Sequence, residues 1–350
     1  MRNGEIKRTR LIDIAEAAGV SKITVSKVLN GCGGNNTRVS AKTAEKVKKI
    51  ALSLNYSPNL AARQLSGNKS RLLGVHIDAK APENTHDSLS IIERYASEKG
   101  YRCVVGYLHG ETKRAHEYVS DFLGRNVEGV ICLSHNYPDN GGELAKIFSV
   151  FQNRVFIEPP IDDDISTYVA TDHRRGAFLL THHLIELGHH RIALILPGIR
   201  YRQMLEREAG YKDALKSTKK RFDASLIWRS EASLEANETD MVDVLDFLLP
   251  ASPDAVIAPG DGGAMWLIRI LRSRGISVPE KISVTGFDLW NISQSFTPSI
   301  TTVDLGHKKV ALKAVSTLLD KIASQDVRTM EENIVIPPEL VVAESCSHKN

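Results

Sequence analysis

The sequence predicts an α/β protein in two parts, a small all-α head followed by a two-lobed body of doubly wound parallel sheets. Three observations carry this. Residues 1–70 hold 13 Lys and Arg against 4 Asp and Glu, a net of +9, whereas the remainder is net −6. Apolar positions in the first 56 residues repeat only at helical spacing. From Leu72 onward short apolar strands alternate with amphipathic helices, the pattern that right-handed crossovers assemble into parallel sheet. With 350 residues, 42% hydrophobic and 25% charged, the chain suits two or three globular domains.

In the head, Leu11, Ile14, Ala15 and Ala18 give a first helix one apolar stripe. Gly19 follows, where a positive φ lets the chain turn sharply. Ser21 can N-cap a second helix whose inner side is Val25, Val28 and Leu29. Its outer side collects Lys22, Ile23, Ser26, Lys27 and Asn30, most of them groups that bond phosphates and base edges, on a helix narrow enough for a major groove. This reads as a helix-turn-helix; an ordinary amphipathic helix pair with a solvated polar face shares the pattern. GCGGNNTR at 31–38 is a loop. Ser40 then caps a third helix, with Ala44, Val47, Ile50, Ala51 and Leu54 inside and Lys42, Lys46, Lys48 and Lys49 outside. Residues 55–70 contain a short helix begun by Ser57-Pro58 and stopped by Gly67. It is either a flexible tether or a segment that folds only on DNA. The positive head suits a polyanion; a membrane-surface helix would need a Trp- or Phe-rich face, and residues 1–70 contain neither residue.

The body strands are expected at 72–77, 101–107, 127–133, 154–158, 191–196, 254–259 and 281–287. Helices are expected near 86–99, 112–124, 174–187, 204–217, 235–249 and 262–274. The series restarts near Thr171, which implies two lobes with a cleft between them. No run of 18 apolar residues occurs and the N-terminus lacks a signal-peptide core, so a cytoplasmic protein without a membrane partner is expected. Cys32, Cys103, Cys132 and Cys346 are scattered without metal-ligand spacing, and Cys103 and Cys132 fall in strand patterns as reduced core residues. His182, His183, His189 and His190 look like a catalytic or metal cluster. However, the latter pair falls at a helix-to-strand turn, and no H-E-x-x-H, G-x-S-x-G, Walker A or G-x-G-x-x-G pattern is present. No enzyme activity, cofactor or metal is expected.

Taken together the chain closely resembles the LacI/GalR (lactose/galactose-repressor) family of transcription regulators. Five segments carry the resemblance: DIAEAAGVSKITVSKVLN at 13–30, VSAKTAEKV at 39–47, NYSPNLAARQL at 55–65, LIELGHHRIALI at 184–195 and GISVPEKISVTGFD at 275–288. The resemblance implies a helix-turn-helix domain over 1–56 and a hinge helix and linker over 57–70. Residues 71–350 would form a periplasmic-binding-protein-like core that dimerises. Its N-lobe would cover about 71–168 plus 303–326, and its C-lobe about 169–302 plus 327–346. It implies a repressor that binds a pseudo-palindromic operator as a homodimer and answers to a small, sugar-like effector. The alternative keeps the DNA role but places a protein co-regulator in control.

Residue roles follow from the same resemblance. Lys22, Ile23 and Lys27 match base-reading positions, with Arg10, Ser21, Thr24, Ser26 and Asn30 around them. Leu65 matches the hinge leucine that wedges into the minor groove, flanked by Asn59 and Ala62. Asp288 and Arg207 match the ligand-contacting Asp and Arg, with an interlobe salt bridge as the alternative to that role. Asp78, Glu158 and Asp261 fall at further cleft positions, with Tyr201, Gln203 and Trp290 as weaker candidates. Several departures stand out. Lys27 replaces the usual Arg, which turns a bidentate contact into a single ammonium contact. Arg10 replaces Thr before the first helix, losing a side-chain cap and adding a cation for phosphate. The loop at 31–38 is long. The usual D-x-x-N-P-F after the first core strand is here DAKAPENTH, without the aromatic, and Gly260 replaces Asn before Asp261. The chain ends without a leucine heptad, so a dimer is expected rather than a coiled-coil tetramer.

Overall fold

The computed structural model describes residues 9–30, 39–57, 69–79, 81, 83–134, 141–160, 166–196, 202–229, 238–289, 291–324 and 333–349. The chain divides into two compact units, residues 1–70 and 71–350.

The first unit contains helices α1 (Leu11–Ala18), α2 (Lys22–Asn30) and α3 (Ala41–Ser53). Local chemistry sets their ends. Gly19 closes α1 at φ +66°. The Ser21 and Ser40 hydroxyls each accept the backbone N–H three residues on, from Thr24 and Thr43, at 3.1 Å. Ile14, Ala15, Ala18, Val25, Val47 and Ala51 form the core, with Leu11, Val20, Val28, Leu29, Ile50 and Tyr56 around it. Leu54, expected inside, is 38% exposed. The helix has already ended there, and the Leu54 carbonyl instead accepts the Thr9 hydroxyl at 2.7 Å, tying the start of the head to the end of α3.

The second unit holds strands β1 (Leu72–Ile77), β2 (Arg102–Tyr107), β3 (Gly129–Cys132), β4 (Arg154–Ile157), β5 (Tyr168–Thr171), β6 (Ile192–Leu196), β7 (Ile227–Arg229), β8 (Ala255–Ile257), β9 (Ser283–Thr285), β10 (Thr302–Asp304), β11 (Ile334–Ile336) and β12 (Glu339–Val341). Its helices are α4 (Glu83–Glu98), α5 (Thr112–Gly124), α6 (Gly141–Phe148), α7 (His173–Glu186), α8 (Arg202–Ser217), α9 (Glu238–Ala251), α10 (Asp261–Ser273), α11 (Asn291–Ser295) and α12 (His307–Ala323). One parallel sheet runs β11-β5-β4-β3-β1-β2 and a second runs β7-β6-β8-β9; β10 and β12 form an antiparallel pair.

Both sheets are covered on both faces, and the alternation of their central strands explains how. In β6, Ala193 and Ile195 face α9 and α10 through Val244, Leu248, Leu267 and Leu271. Ile192, Leu194 and Leu196 face α7 and α8 through Leu180, Leu184, Tyr211 and Leu215. In β1, Leu73, Val75 and Ile77 meet α4 and α12, while His76 stacks on Phe148 of α6 at 4.0 Å on the opposite face. Helices α7 and α8 lie so close that a Cβ at Gly210 would stand 2.0 Å from the Arg174 carbonyl oxygen.

Two expectations about the lobes are corrected. Tyr168–Thr171 is still a strand of the first sheet, and the second sheet starts at Ile192. Ile334–Ile336, expected in the second lobe, pairs in parallel with β5 in the first sheet. The chain therefore passes between the sheets at β5–α7, β10–α12 and β11–β12. These passages are bonded to one another: Thr171 Oγ1 donates to Leu305 O at 2.7 Å, and Asp172 N–H to Ile336 O at 3.3 Å.

The histidine pair at 189–190 is a structural staple. Asp254 accepts the backbone N–H groups of His190 and Arg191, each at 3.0 Å, and lies 3.5 Å from His189 Nδ1. His189 Nε2 faces the Ser347 carbonyl at 3.1 Å, so the turn before β6 also holds the C-terminal segment. Among the described residues no cluster of His, Cys, Asp and Glu could hold a metal ion, and no helix is long and apolar enough to cross a membrane. Cys103, Cys132 and Cys346 are free thiols. Burial pushes Cys103 and Cys346 up to about 11, as inert core thiols require; Cys32 lies outside the described residues.

Burial alone would raise the Asp254 carboxyl, but the His189 side chain and the two backbone N–H donors outweigh it and bring the pKa from 3.8 down to about 2. A depressed folded pKa contributes stability that is present above the unfolded value and lost as pH falls through the folded one. Asp254→Asn is therefore expected to destabilise the chain by about 1–2 kcal/mol at pH 7. In denaturant titrations the gap to the parent should close as pH falls from 4 towards 2. A gap independent of pH would contradict this account.

Candidate functional site

Two sets of side chains stand out, one in each unit. In the head, Lys22 and Ile23 are exposed and Ser26 and Lys27 partly so, on the side of α2 away from the core. Positions three and four apart on a helix are neighbours, so these four share one face. The Ser21 and Thr24 hydroxyls, expected at DNA, lie 2.9 Å apart and Ser21 caps the helix; both are engaged in the helix start. Arg10 makes no side-chain cap, as expected from its replacement of Thr. Instead Asp13 accepts the Arg10 backbone N–H at 2.7 Å and lies 3.5 Å from its guanidinium. Asn30 ends α2, with a side chain outside the described set. Asn59, Ala62 and Leu65 lie outside the described residues.

In the second unit the chemistry gathers at the C-terminal ends of parallel strands, where open α/β sheets bind ligands. Glu158 follows β4, Asp288 follows β9, and Gln203 and Arg207 lie on the helix after β6. Arg207 is only 4% exposed. Its Nη1 donates to the Pro259 carbonyl at 2.7 Å, its Nη2 lies 3.7 Å from Asp288 Oδ1, and its Cζ stands 4.0 Å over the Phe287 ring. Asp288 Oδ1 also faces His307 Nε2 at 3.4 Å, and His307 Nε2 lies 2.9 Å from Asn84 Nδ2. The side chains of Asn84, His307, Asp288 and Arg207 therefore lie in succession between α4 and α12, which cover the first sheet, and the end of β9 in the second. Glu158 Oε1 accepts the Thr171 N–H at 3.1 Å and faces His173 Nε2 at 3.4 Å.

The backbone is strained where these carboxylates sit. Glu158, Asp288 and Leu289 have φ of 69°, 94° and 51°. Such left-handed values in non-glycine residues cost free energy and cluster at functional sites. Three buried polar atoms here have no hydrogen-bond partner: Arg207 Nε, Gln203 Oε1 and His173 Nδ1. Gln203 and Arg207 are one turn apart on α8, so an unused acceptor and an unused donor belong to the same face of the helix. Buried polar atoms are almost always paired, and a polar ligand would pair these.

Burial raises both carboxyls, yet both end below their ordinary values. The His307 hydrogen bond and the Arg207 charge lower Asp288, while His173 and the Thr171 N–H lower Glu158. Burial lowers the Arg207 guanidinium, opposed by Asp288, Glu158 and Asp261. At neutral pH the site thus holds one guanidinium against two carboxylates, before any charge on the histidines.

Two expected cleft residues have other work. Asp261 is fully buried, with Oδ1 and Oδ2 accepting the Thr302 and Ser293 hydroxyls, each at 2.6 Å. It ties the start of α10 to β10 and α11. Asp78 accepts the Gly110 N–H at 2.6 Å, anchoring the turn after β2. Tyr201 and Trp290 lie outside the described residues. The residues missed are His173, His307 and Asn84. The histidines begin helices directly after β5 and β10, a position that marks a strand's C-terminal end, but those strands lie among Ser, Thr and Asp and form no apolar run.

Comparison with known proteins agrees with this division. The model for bacterial regulatory proteins of the lacI family matches residues 10–59, and that for a periplasmic binding protein-like domain matches 181–346. The chain is 31% identical to the HTH-type transcriptional regulator DegA of Bacillus subtilis (strain 168), over 98% of this chain and 99% of DegA. It is 28% identical to the HTH-type transcriptional repressor PurR of Vibrio atlanticus (strain LGP32), over 90% and 92%. Among solved structures, the lac repressor dimer bound to operator and the anti-inducer ONPF superimposes with a TM-score of 0.83 at 26% identity, covering 97% of this chain and 100% of that one. The transcriptional regulator CelR in complex with cellobiose gives 0.69 at 26%, with the same coverage. The chain belongs to the LacI family of bacterial transcriptional regulators, which are non-enzymatic DNA-binding proteins.

Proposed function

We propose that this chain is a repressor that binds a pseudo-palindromic operator as a homodimer and is controlled by a small, neutral, sugar-like metabolite held at Arg207 and Asp288. The observation that carries the ligand class is the buried guanidinium already facing two ionised carboxylates, with an unused donor and acceptor beside it. Among the described residues, an anionic ligand would find no guanidinium or ammonium group there that does not already face a carboxylate. A polyol satisfies Gln203 Oε1 with a hydroxyl proton, and Arg207 Nε with a hydroxyl oxygen. The complex of CelR with cellobiose and the lac repressor with ONPF are relatives consistent with this reading.

In this scheme residues 1–56 read the half-site, 57–70 form the hinge and 71–350 bind ligand and dimerise. Lys22, Ile23 and Lys27 meet base edges, with Arg10, Ser26 and Asn30 near phosphate. The hinge helices pair at the operator centre, where Leu65 wedges between base steps beside Asn59 and Ala62. Ligand shifts the population of lobe arrangements and so the spacing of the hinges.

Calorimetry of the full-length protein against neutral sugars, sugar phosphates and nucleosides tests the ligand class. Heat is expected from a neutral sugar and not from its phosphate ester. Arg207→Met should weaken that binding by about 2 kcal/mol, on the order of 30-fold, while operator binding persists. Tighter binding of the phosphate ester would contradict the proposal, and no heat from any class would favour control by a protein co-regulator.

For the head, selection of bound duplexes from a random pool at fixed salt should recover an inverted repeat. Lys27→Ala is expected to relax one position of each half-site, at about 1–3 kcal/mol. A uniform loss across all sequences, with a shallower salt dependence, would make Lys27 a phosphate contact instead.

A further inference from the structure

Ile23 is 66% exposed, and it is the one large apolar side chain on the outer face of α2, between Lys22, Ser26 and Lys27. The head closes its core without it: the buried cluster draws Val25, Val28 and Leu29 from the other side of the helix. A β-branched side chain in a helix is held to essentially one rotamer, so Ile23 cannot fold back onto the core. It can neither donate nor accept a hydrogen bond, so it contributes nothing to polar base edges or phosphates. The neighbouring Lys22 and Lys27 give the same face the positive charge that a nucleic-acid backbone requires. Within a major groove one apolar group is available on the base edges, the C5 methyl of thymine.

We infer that Ile23 reads a thymine methyl, so that each operator half-site contains a T·A pair whose methyl group packs against this side chain. The inference rests on the proposed role of α2 as the DNA-reading helix and adds the identity of one base.

The experiment uses the full-length protein and the duplex recovered from a random pool. Each thymine of the half-site is replaced in turn by deoxyuridine, which removes the methyl and leaves the pairing edges unchanged. One position is expected to lose affinity by about four-fold, the value of one buried methyl group. Ile23→Ala should bind thymine and deoxyuridine duplexes equally at that position, and Ile23→Gln should move the preference there towards adenine. Because Ile23 lies outside the core, thermal unfolding of both variants should match the parent. A clear half-site indifferent to every deoxyuridine, or an Ile23→Ala protein as sensitive as the parent, would overturn the inference and leave the DNA-reading role standing. A pool that yields no consensus would overturn both.

Discussion

A guanidinium buried to the extent of Arg207 loses several kcal/mol of hydration, and the protein around it is arranged to offset that loss. Asp288 supplies the charge, the Pro259 carbonyl a direct hydrogen bond, and the Phe287 ring a polarisable face. Each partner imposes its own demand. Asp288 reaches the arginine from a left-handed backbone conformation, held by its N–H on Val303 of β10. Gly286 lacks a Cβ because one would stand 2.2 Å from Asp261 Oδ1, and Asp261 is itself tied to Thr302 and Ser293. The ends of β8, β9 and β10 are thereby fixed around one cation. Losing a single partner would leave a charge buried without compensation, the costlier way to break such a site.

The same cluster lies on the segments that join the two sheets. His173 and His307 are the first residues of α7 and α12, directly beyond two of the three passages. Thr171 bonds to Leu305 across those passages, and Asp172 to Ile336. A ligand that alters the contacts among Glu158, His173, Asp288 and His307 therefore acts where a small displacement changes the orientation of one sheet relative to the other. Under the proposed function this would be the physical basis of a hinge-type switch, in which a ligand selects among packed arrangements that differ at few bonds.

What was legible in the sequence was local. Ser21, Gly19 and Ser40 announce helix ends because capping and left-handed turns depend on the residue itself and its near neighbours. The strand β6 was legible because its five residues form one continuous apolar run. By contrast β5 and β10 sit among Ser, Thr and Asp rather than in an apolar run, and β11 pairs with a strand more than 150 positions earlier. Asp261 and Asp288 both follow core strands and look alike in sequence. Only the hydroxyls of Thr302 and Ser293, brought in from afar, make one a buried anchor and the other a partner of Arg207. The roles of His173 and His307 were hidden for the same reason, since nothing in LGHKK shows that Asp288 and Asn84 will meet its histidine.

In the proposed function the Arg207 site and the DNA-reading head share one free energy of coupling. Thermodynamic linkage makes that coupling reciprocal: the factor by which ligand changes operator affinity must equal the factor by which operator changes ligand affinity. The direct measurement is the ligand dissociation constant of the full-length protein, free and saturated with operator duplex, at one salt concentration. A change of about 5- to 150-fold is expected, equal to the ligand's effect on operator binding within error. An unchanged ligand affinity on saturation with operator would contradict it.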